Sequence, residues 1–317
     1  MKFPVFDLHC DTALALLGRD MMQIDSLNSN KYHIDLERAA KLGGYAQCFA
    51  CFTTQADKLP GGISVSTWFE REMIAVLNQV EANSGKIRLA YSANDVRENH
   101  AQGLMSAILT LEGTAGIGYD KELLPDLYNI GFRIVSLGWN EKNILCGSHK
   151  TGGGLTAEGA AFVETAQKCG YIVDVSHISD EAFWNIVEIA KKPIIASHSN
   201  SRRICDHSRN LTDEMFSAIC RLDGVAGFNQ CAAFVGANPT LDTVCDHILH
   251  FLELDPDGRH IALGGDLDGC DELPEGFTGI ESYNALAERM LQRGISEDLI
   301  RRIYWDNALE VLDKCCI

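Results

Sequence analysis

Short runs of apolar, often β-branched residues recur along the chain at Val5–Asp11, Tyr45–Phe52, Ser106–Glu112, Arg133–Trp139, Tyr171–His177, Pro193–His198, Val225–Asn229 and His260–Asp266. They are nearly continuous in hydrophobicity, the pattern of strands covered on both faces and therefore paired in parallel. Helix signals fill the intervals. Thr156, Ser179, Thr212, Thr240 and Ser296 precede amphipathic stretches as N-cap candidates, and Gly170, Gly224 and Gly294 follow such stretches as C-cap candidates. From Thr240 to Glu253, Leu241, Val244, Cys245, Ile248, Leu249 and Leu252 share one face at a 3.6-residue period, which predicts a helix packed on the core. Eight strands alternating with helices in 317 residues predict an α/β fold, a single-domain (β/α)8 TIM-type barrel spanning 1–317. A doubly wound sheet is disfavoured because no glycine fingerprint follows the first run. Thr151–Leu155, TGGGL, is neither that fingerprint nor a lysine-bearing P-loop and reads as a loop.

Composition narrows the partners. Lys plus Arg is 27 and Asp plus Glu 44, a formal charge of −17 with no basic run, so nucleic acid is not an expected partner. The N-terminal MKFPVFDLHCDT lacks an export-type apolar core, and no stretch approaches the ~18 apolar residues of a membrane span, so a cytoplasmic protein is expected. The twelve cysteines are scattered, and the one C-x-x-C, Cys48 to Cys51, has no second pair at zinc-ribbon spacing; free, mostly buried thiols are expected.

Several predicted strands end in residues that bind metals, and a barrel displays its strand C-termini on one face. The first, DLHCDT, offers His9 and Asp11, two apart and so on one side of a strand. The third closes on Glu112, a carboxylate that burial penalises unless a cation or donor compensates. The fifth and sixth both end in Ser-His, giving His177 and His198 at equivalent positions, and the eighth offers Asp266 and Asp268 in GGDLDG. A serine nucleophile is not expected, since Ser176 and Ser197 should face away from the adjacent histidines on a strand. Carboxylate and imidazole ligands without thiolate suit zinc, with manganese or cobalt as alternatives. Five ligands exceed one open catalytic site, and Glu112 between a His/Asp pair and a His/His pair would bridge two ions, for example two Zn2+ per chain.

At this point the chain resembles the membrane (renal) dipeptidase family of zinc peptidases. The matching pieces are DLHCDT, LEG at 111–113, DVSHIS at 174–179, ASHSNSR at 196–202, SRNLTDE at 208–214, GGDLDG at 264–269 and the terminal WDNALEVL. The resemblance implies hydrolysis of dipeptides by a metal-bridged hydroxide. It implies His9 and Asp11 on one zinc, His177 and His198 on the other, and Glu112 bridging as part of the catalytic set. It also implies Arg209 holding the substrate carboxylate and Asp266 as the acid/base. Where mammalian members carry a substrate-contacting histidine, ungapped alignment places Trp139, with Asn140 or Asn143 available for the polar contact. Another amide or ester hydrolase, such as an acylamino-acid or lactone hydrolase, is the alternative within enzymes; a non-catalytic metal-binding relative is the alternative outside them. The expected partner is a small dipeptide, with no membrane association and a homodimer as a possible assembly.

Overall fold

The structure, a computed structural model, describes residues 2–17, 24–55, 59 and 62–316. Eight parallel strands close on themselves: β1 (Pro4–Cys10), β2 (Gly44–Phe52), β3 (Met105–Glu112), β4 (Phe132–Ser136), β5 (Ile172–Asp174), β6 (Ile194–Ala196), β7 (Val225–Phe228) and β8 (Ile261–Leu263). Each pairs with its successor, and β8 returns to β1 at Asp7↔Leu263. The longest ladder joins β2 to β3 from Ala46↔Ser106 to Phe52↔Glu112, and a short extra strand, Ile87–Leu89, lies along the start of β3. The expected α/β barrel is therefore the fold.

The near-continuous hydrophobicity has a direct cause. Phe6, Leu8, Ala46, Cys48, Ile108, Ile134, Ile172, Ile195 and Ala262 form one cluster, while their neighbours Val5, Tyr45, Phe49, Leu109, Val135, Val173, Ile194 and Ile261 belong to a second, packed under the helices. Both faces of each strand are dry, and a fully buried side chain of this size contributes about 1.5–3 kcal/mol. Trp305, its ring 5.8 Å from Phe6, joins the first cluster with the terminal helix Asn307–Cys315.

All five expected N-caps accept a backbone N–H three residues on, Thr156 from Gly159, Ser179 from Ala182, Thr212 from Met215, Thr240 from Thr243 and Ser296 from Leu299. The helix Leu241–Leu254 buries Val244, Cys245 and Ile248. Gly170 caps its helix at φ +100° and Gly294 takes φ +85°. Gly224 differs: Asp223 takes the left-handed turn at φ +56°, and Gly224 is required because a Cβ there would stand 1.8 Å from the Ile194 carbonyl oxygen. The expected TGGGL loop is also corrected. Gly152–Leu155 is a strand of an antiparallel hairpin with Cys146–Ser148.

All twelve cysteines are free, Cys48 and Cys51 among the buried ones. No helix among the described residues is long and apolar enough to cross a membrane.

Candidate metal centre

The strands β5, β6 and β8 stop at Asp174, Ala196 and Leu263, so His177, His198 and Asp266 stand on the loops beyond them, not on the strands themselves. Asp174 accounts for the ends of β5 and β6. Its buried carboxylate accepts from the Ser176 and Ser197 N–H groups at 3.1 and 2.9 Å, replacing ladder bonds. At the opposite side β1 carries one extra residue between Asp7↔Gln47 and Cys10↔Phe49, a bulge of the kind that re-aims a side chain beside a site. His9 lies in it.

Five buried ligand-type side chains converge. His9 Nε2 lies 3.5 Å from Asp11 Oδ2 and 3.4 Å from Glu112 Oε2; the other Glu112 oxygen lies 2.8 Å from His177 Nε2 and 3.9 Å from His198 Nε2. The His177 and His198 Nε2 atoms face each other at 2.8 Å. His9, Glu112 and His198 offer one set of ligand atoms within 4.8 Å of one another, and His9, Asp11 and Asp266 a second.

The tautomers test whether a cation fits. Ser197 Oγ donates to Asp174 Oδ2 at 2.6 Å and so accepts from His198 Nδ1 at 2.7 Å. Asn140 Oδ1 accepts from His177 Nδ1 at 3.1 Å. With both Nδ1 atoms protonated, neutral His177 and His198 present Nε2 lone pairs to one another and to Glu112, an arrangement a cation relieves. His9 Nε2 is buried with no hydrogen-bond partner. The donor set fits a metal.

Electrostatics agree. Burial opposes charging His9, yet the carboxylates of Glu112 and Asp11 hold its pKa well above the ordinary value. Burial and then the Glu112 charge drive Asp11 far up, while burial of Glu112 is outweighed by His9 and His177, which hold it well down. Burial, followed by the His9 and Arg209 charges, pushes His198 well below its ordinary value. Protons are thus shared unevenly in a cluster where positive charge is in demand.

Ser197 departs from the sequence expectation. It touches the adjacent histidine because both lie past the strand end, where alternation no longer holds. Its partners make it a support for His198, and Ser176 likewise donates to Asp174 at 2.7 Å.

A cavity of about 330 Å³ opens on this cluster, with Asp11, Glu112, Asp266, Asp268, His149, Lys150, His207 and Arg209 among its lining residues. That size is at the small end for ligand pockets. Asp266 takes φ +55°, its Oδ2 accepting from Asn229 Nδ2 at 2.9 Å and its Oδ1 3.9 Å from His9 Nε2. Asp268 is occupied by Thr12 Oγ1 and the His33 N–H, both at 2.6 Å. Trp139 lines the cavity between Phe52 and His177, with ring centroids 4.8 and 6.2 Å away. Asn140 also lines it, but its Oδ1 is committed to His177 and to His149 Nε2 at 2.7 Å. Asn143 is used by its own loop, donating to the Leu137 carbonyl and accepting from Leu145 N–H.

Arg209 is the most informative lining residue. It is 3% exposed, its Nε has no partner, and no carboxylate among the described residues pairs with it. Its Nη2 donates to His177 Nε2 at 3.2 Å and to the His198 carbonyl at 3.4 Å, and Nη1 to Ser199 Oγ at 3.4 Å. Sequence reasoning missed His149, His207, Asn229 and Phe234. His149 and Lys150 arrive on the turn of the hairpin read as a plain loop; no spacing signal marks any of these residues.

The profile described as membrane dipeptidase, peptidase family M19, matches residues 1–315. An uncharacterised dipeptidase of Schizosaccharomyces pombe is 31% identical over 236 residues, 72% of this chain but only 56% of that protein's length. Dipeptidase verJ of Clonostachys rogersoniana is 27% identical over 329 residues, covering 98% of this chain and 84% of that one. Among solved structures, a dipeptidase AC described as an M19 metallopeptidase superposes with a TM-score of 0.90 at 25% identity, covering 100% and 99% of the two chains. A Rhodobacter sphaeroides metallopeptidase solved with a phosphinate mimic of L-Ala-D-Ala gives 0.88 at 24% identity, over 99% and 100%, a likeness of fold. With the profile running along almost the entire barrel, the chain belongs to the membrane dipeptidase family, peptidase family M19.

Proposed function

We propose that this protein is a metal-dependent dipeptidase in which His9 and Asp11 hold one ion, His177 and His198 hold a second, and Glu112 bridges them, zinc being the metal that suits the donors. The reading is carried by Arg209. A buried guanidinium without a counter-ion, beside a cluster suited to metals, calls for a ligand carboxylate next to a bond under attack. A dipeptide supplies that carboxylate one residue beyond its amide. Relatives described as dipeptidases support the same reading.

When bound, the metals supply Lewis acidity to the scissile carbonyl and lower the pKa of the attacking water. Arg209 orients the substrate by its carboxylate. Asn229 donates to Asp266 Oδ2 and leaves Oδ1 toward the cluster, where Asp266 accepts the proton of the attacking water and returns it to the leaving amine. Water thus adds across the amide, and two amino acids leave. Trp139, Phe52 and Phe234 supply apolar wall to the cavity.

Metal quantification on the purified protein, beside a panel of dipeptides, N-acyl amino acids and lactones, tests this. About two ions per chain and dipeptide turnover that disappears on complete chelation are expected. Full turnover after chelation overturns the metal reading, and strong turnover of only the N-acyl or lactone substrates overturns the dipeptide.

A further inference from the structure

In a chain with 17 more acids than bases, one stretch of the cavity wall runs against the average. Lys150, at the turn of the hairpin Cys146–Leu155, is exposed and makes no ion pair or hydrogen bond among the described residues. His207 Nδ1 accepts from the Arg209 N–H at 3.1 Å, which leaves its Nε2 as a donor, and its ring lies 4.7 Å from Phe234. His149 uses both ring nitrogens, on Asn140 and on Ser208 Oγ at 2.9 Å. Arg209 keeps an unused Nε. All four line the same cavity.

These groups sense one another. The charges of Arg209 and Lys150 both bear on His149 and on His207, after burial, and keep the two imidazoles neutral. The wall therefore carries two fixed positive charges and an imidazole N–H, with no carboxylate among the described residues paired to any of them. The acids that line the cavity are spoken for elsewhere: Asp11 and Glu112 by the ligand cluster, Asp266 by Asn229, Asp268 by Thr12 and His33. One substrate carboxylate on Arg209 leaves Lys150 and the His207 Nε2 without a protein acceptor among the described residues.

We infer that the cavity selects dipeptides whose C-terminal residue is aspartate or glutamate, with the α-carboxylate on Arg209 and the side-chain carboxylate on Lys150 and His207. The second pair is placed at the same end because His207 and Arg209 belong to one short loop, and Lys150 is held against it by the His149 to Ser208 hydrogen bond of its neighbour. The inference rests on the dipeptidase reading and adds the substrate class.

The test compares near-isosteric substrates, Ala-Glu against Ala-Gln and Ala-Asp against Ala-Asn, each with L and D C-terminal residues, on the metal-loaded protein. The acidic member should be favoured about fivefold to tenfold in kcat/KM, the scale of a partly exposed ion pair plus a hydrogen bond. Lys150→Gln should bring that ratio toward one, Lys150→Arg should keep it, and added salt should weaken it. A ratio of one or below in the unmutated protein, or a ratio that Lys150→Gln leaves intact, overturns the inference while leaving the dipeptidase reading standing. No turnover of either member of every pair overturns both.

Discussion

Replacing Arg209 by methionine separates two contributions that ordinarily move together. Arg209 is 3% exposed, and the three hydrogen bonds of its guanidinium, at 3.2, 3.4 and 3.4 Å, are at or beyond the long end of good geometry. Losing them costs about 0.5 kcal/mol each. Burying a charge without a partner costs several kcal/mol, and replacing buried ionic groups by apolar ones of similar volume is often neutral or stabilising by about 1–4 kcal/mol. The folded protein should therefore tolerate Arg209→Met, with Tm unchanged or raised by up to about 4 °C. Catalysis should move the other way. Truncating one side of a buried, hydrogen-bonded charge pair costs about 3 kcal/mol, which is roughly 10²-fold in kcat/KM. The assay is kcat/KM for Ala-Ala and for its C-terminal amide, together with a thermal melt. The unmutated protein should prefer the free carboxylate and the variant should not. A variant that keeps that preference, or that loses several degrees of Tm with its preference intact, would show Arg209 to be a packing residue and refute the argument.

Asp174→Asn disturbs the partner of both Ser176 and Ser197 without touching a proposed ligand, and metal affinity measured by chelator competition should fall about 10- to 100-fold; unchanged affinity would remove its supporting role. His149 is pushed down to about 3, first by burial and then by Arg209, so it stays neutral in the folded chain while an unfolded histidine protonates near 6.5. Unfolding thus takes up a proton between those values, and the associated stability is present above pH ~6.5 and lost as pH falls toward ~3. His149→Gln should flatten that acid limb in Tm measured against pH, and an unaltered slope would contradict the burial argument.

The barrel was legible because parallel strands buried on both faces leave long apolar runs, and because five helix starts carry a hydroxyl cap whose chemistry is local. The candidate cluster was legible for a related reason: His9, Glu112, His177 and His198 each interrupt or follow such a run, where a polar residue stands out. Strand limits were less so. Asp174 accepts the N–H of Ser176, two residues on, and that of Ser197, 23 residues on, and the second contact is one that no local pattern reveals. The same failure hid the Ser197 to His198 contact, since alternation presumes a strand that has already ended. The hairpin at 146–155 leaves no pattern in the sequence because glycines carry no side-chain period; Gly147 is required there, as a Cβ would stand 2.0 Å from the Gly152 carbonyl oxygen. Arg209 has no sequence signature of its own, and only its burial without an acid sets it apart from a surface arginine.

In the proposed reading the hairpin also joins recognition to the chemistry. Its backbone is laced to the loop that carries His177, through His149 N–H to the His177 carbonyl at 3.0 Å and Ser179 N–H to the Gly147 carbonyl at 3.1 Å. A displacement of the tip of this ribbon would therefore be passed to the backbone that carries His177. Exchanging the ribbon between relatives would therefore retune the reaction centre along with the choice of guest, because the two share a seam.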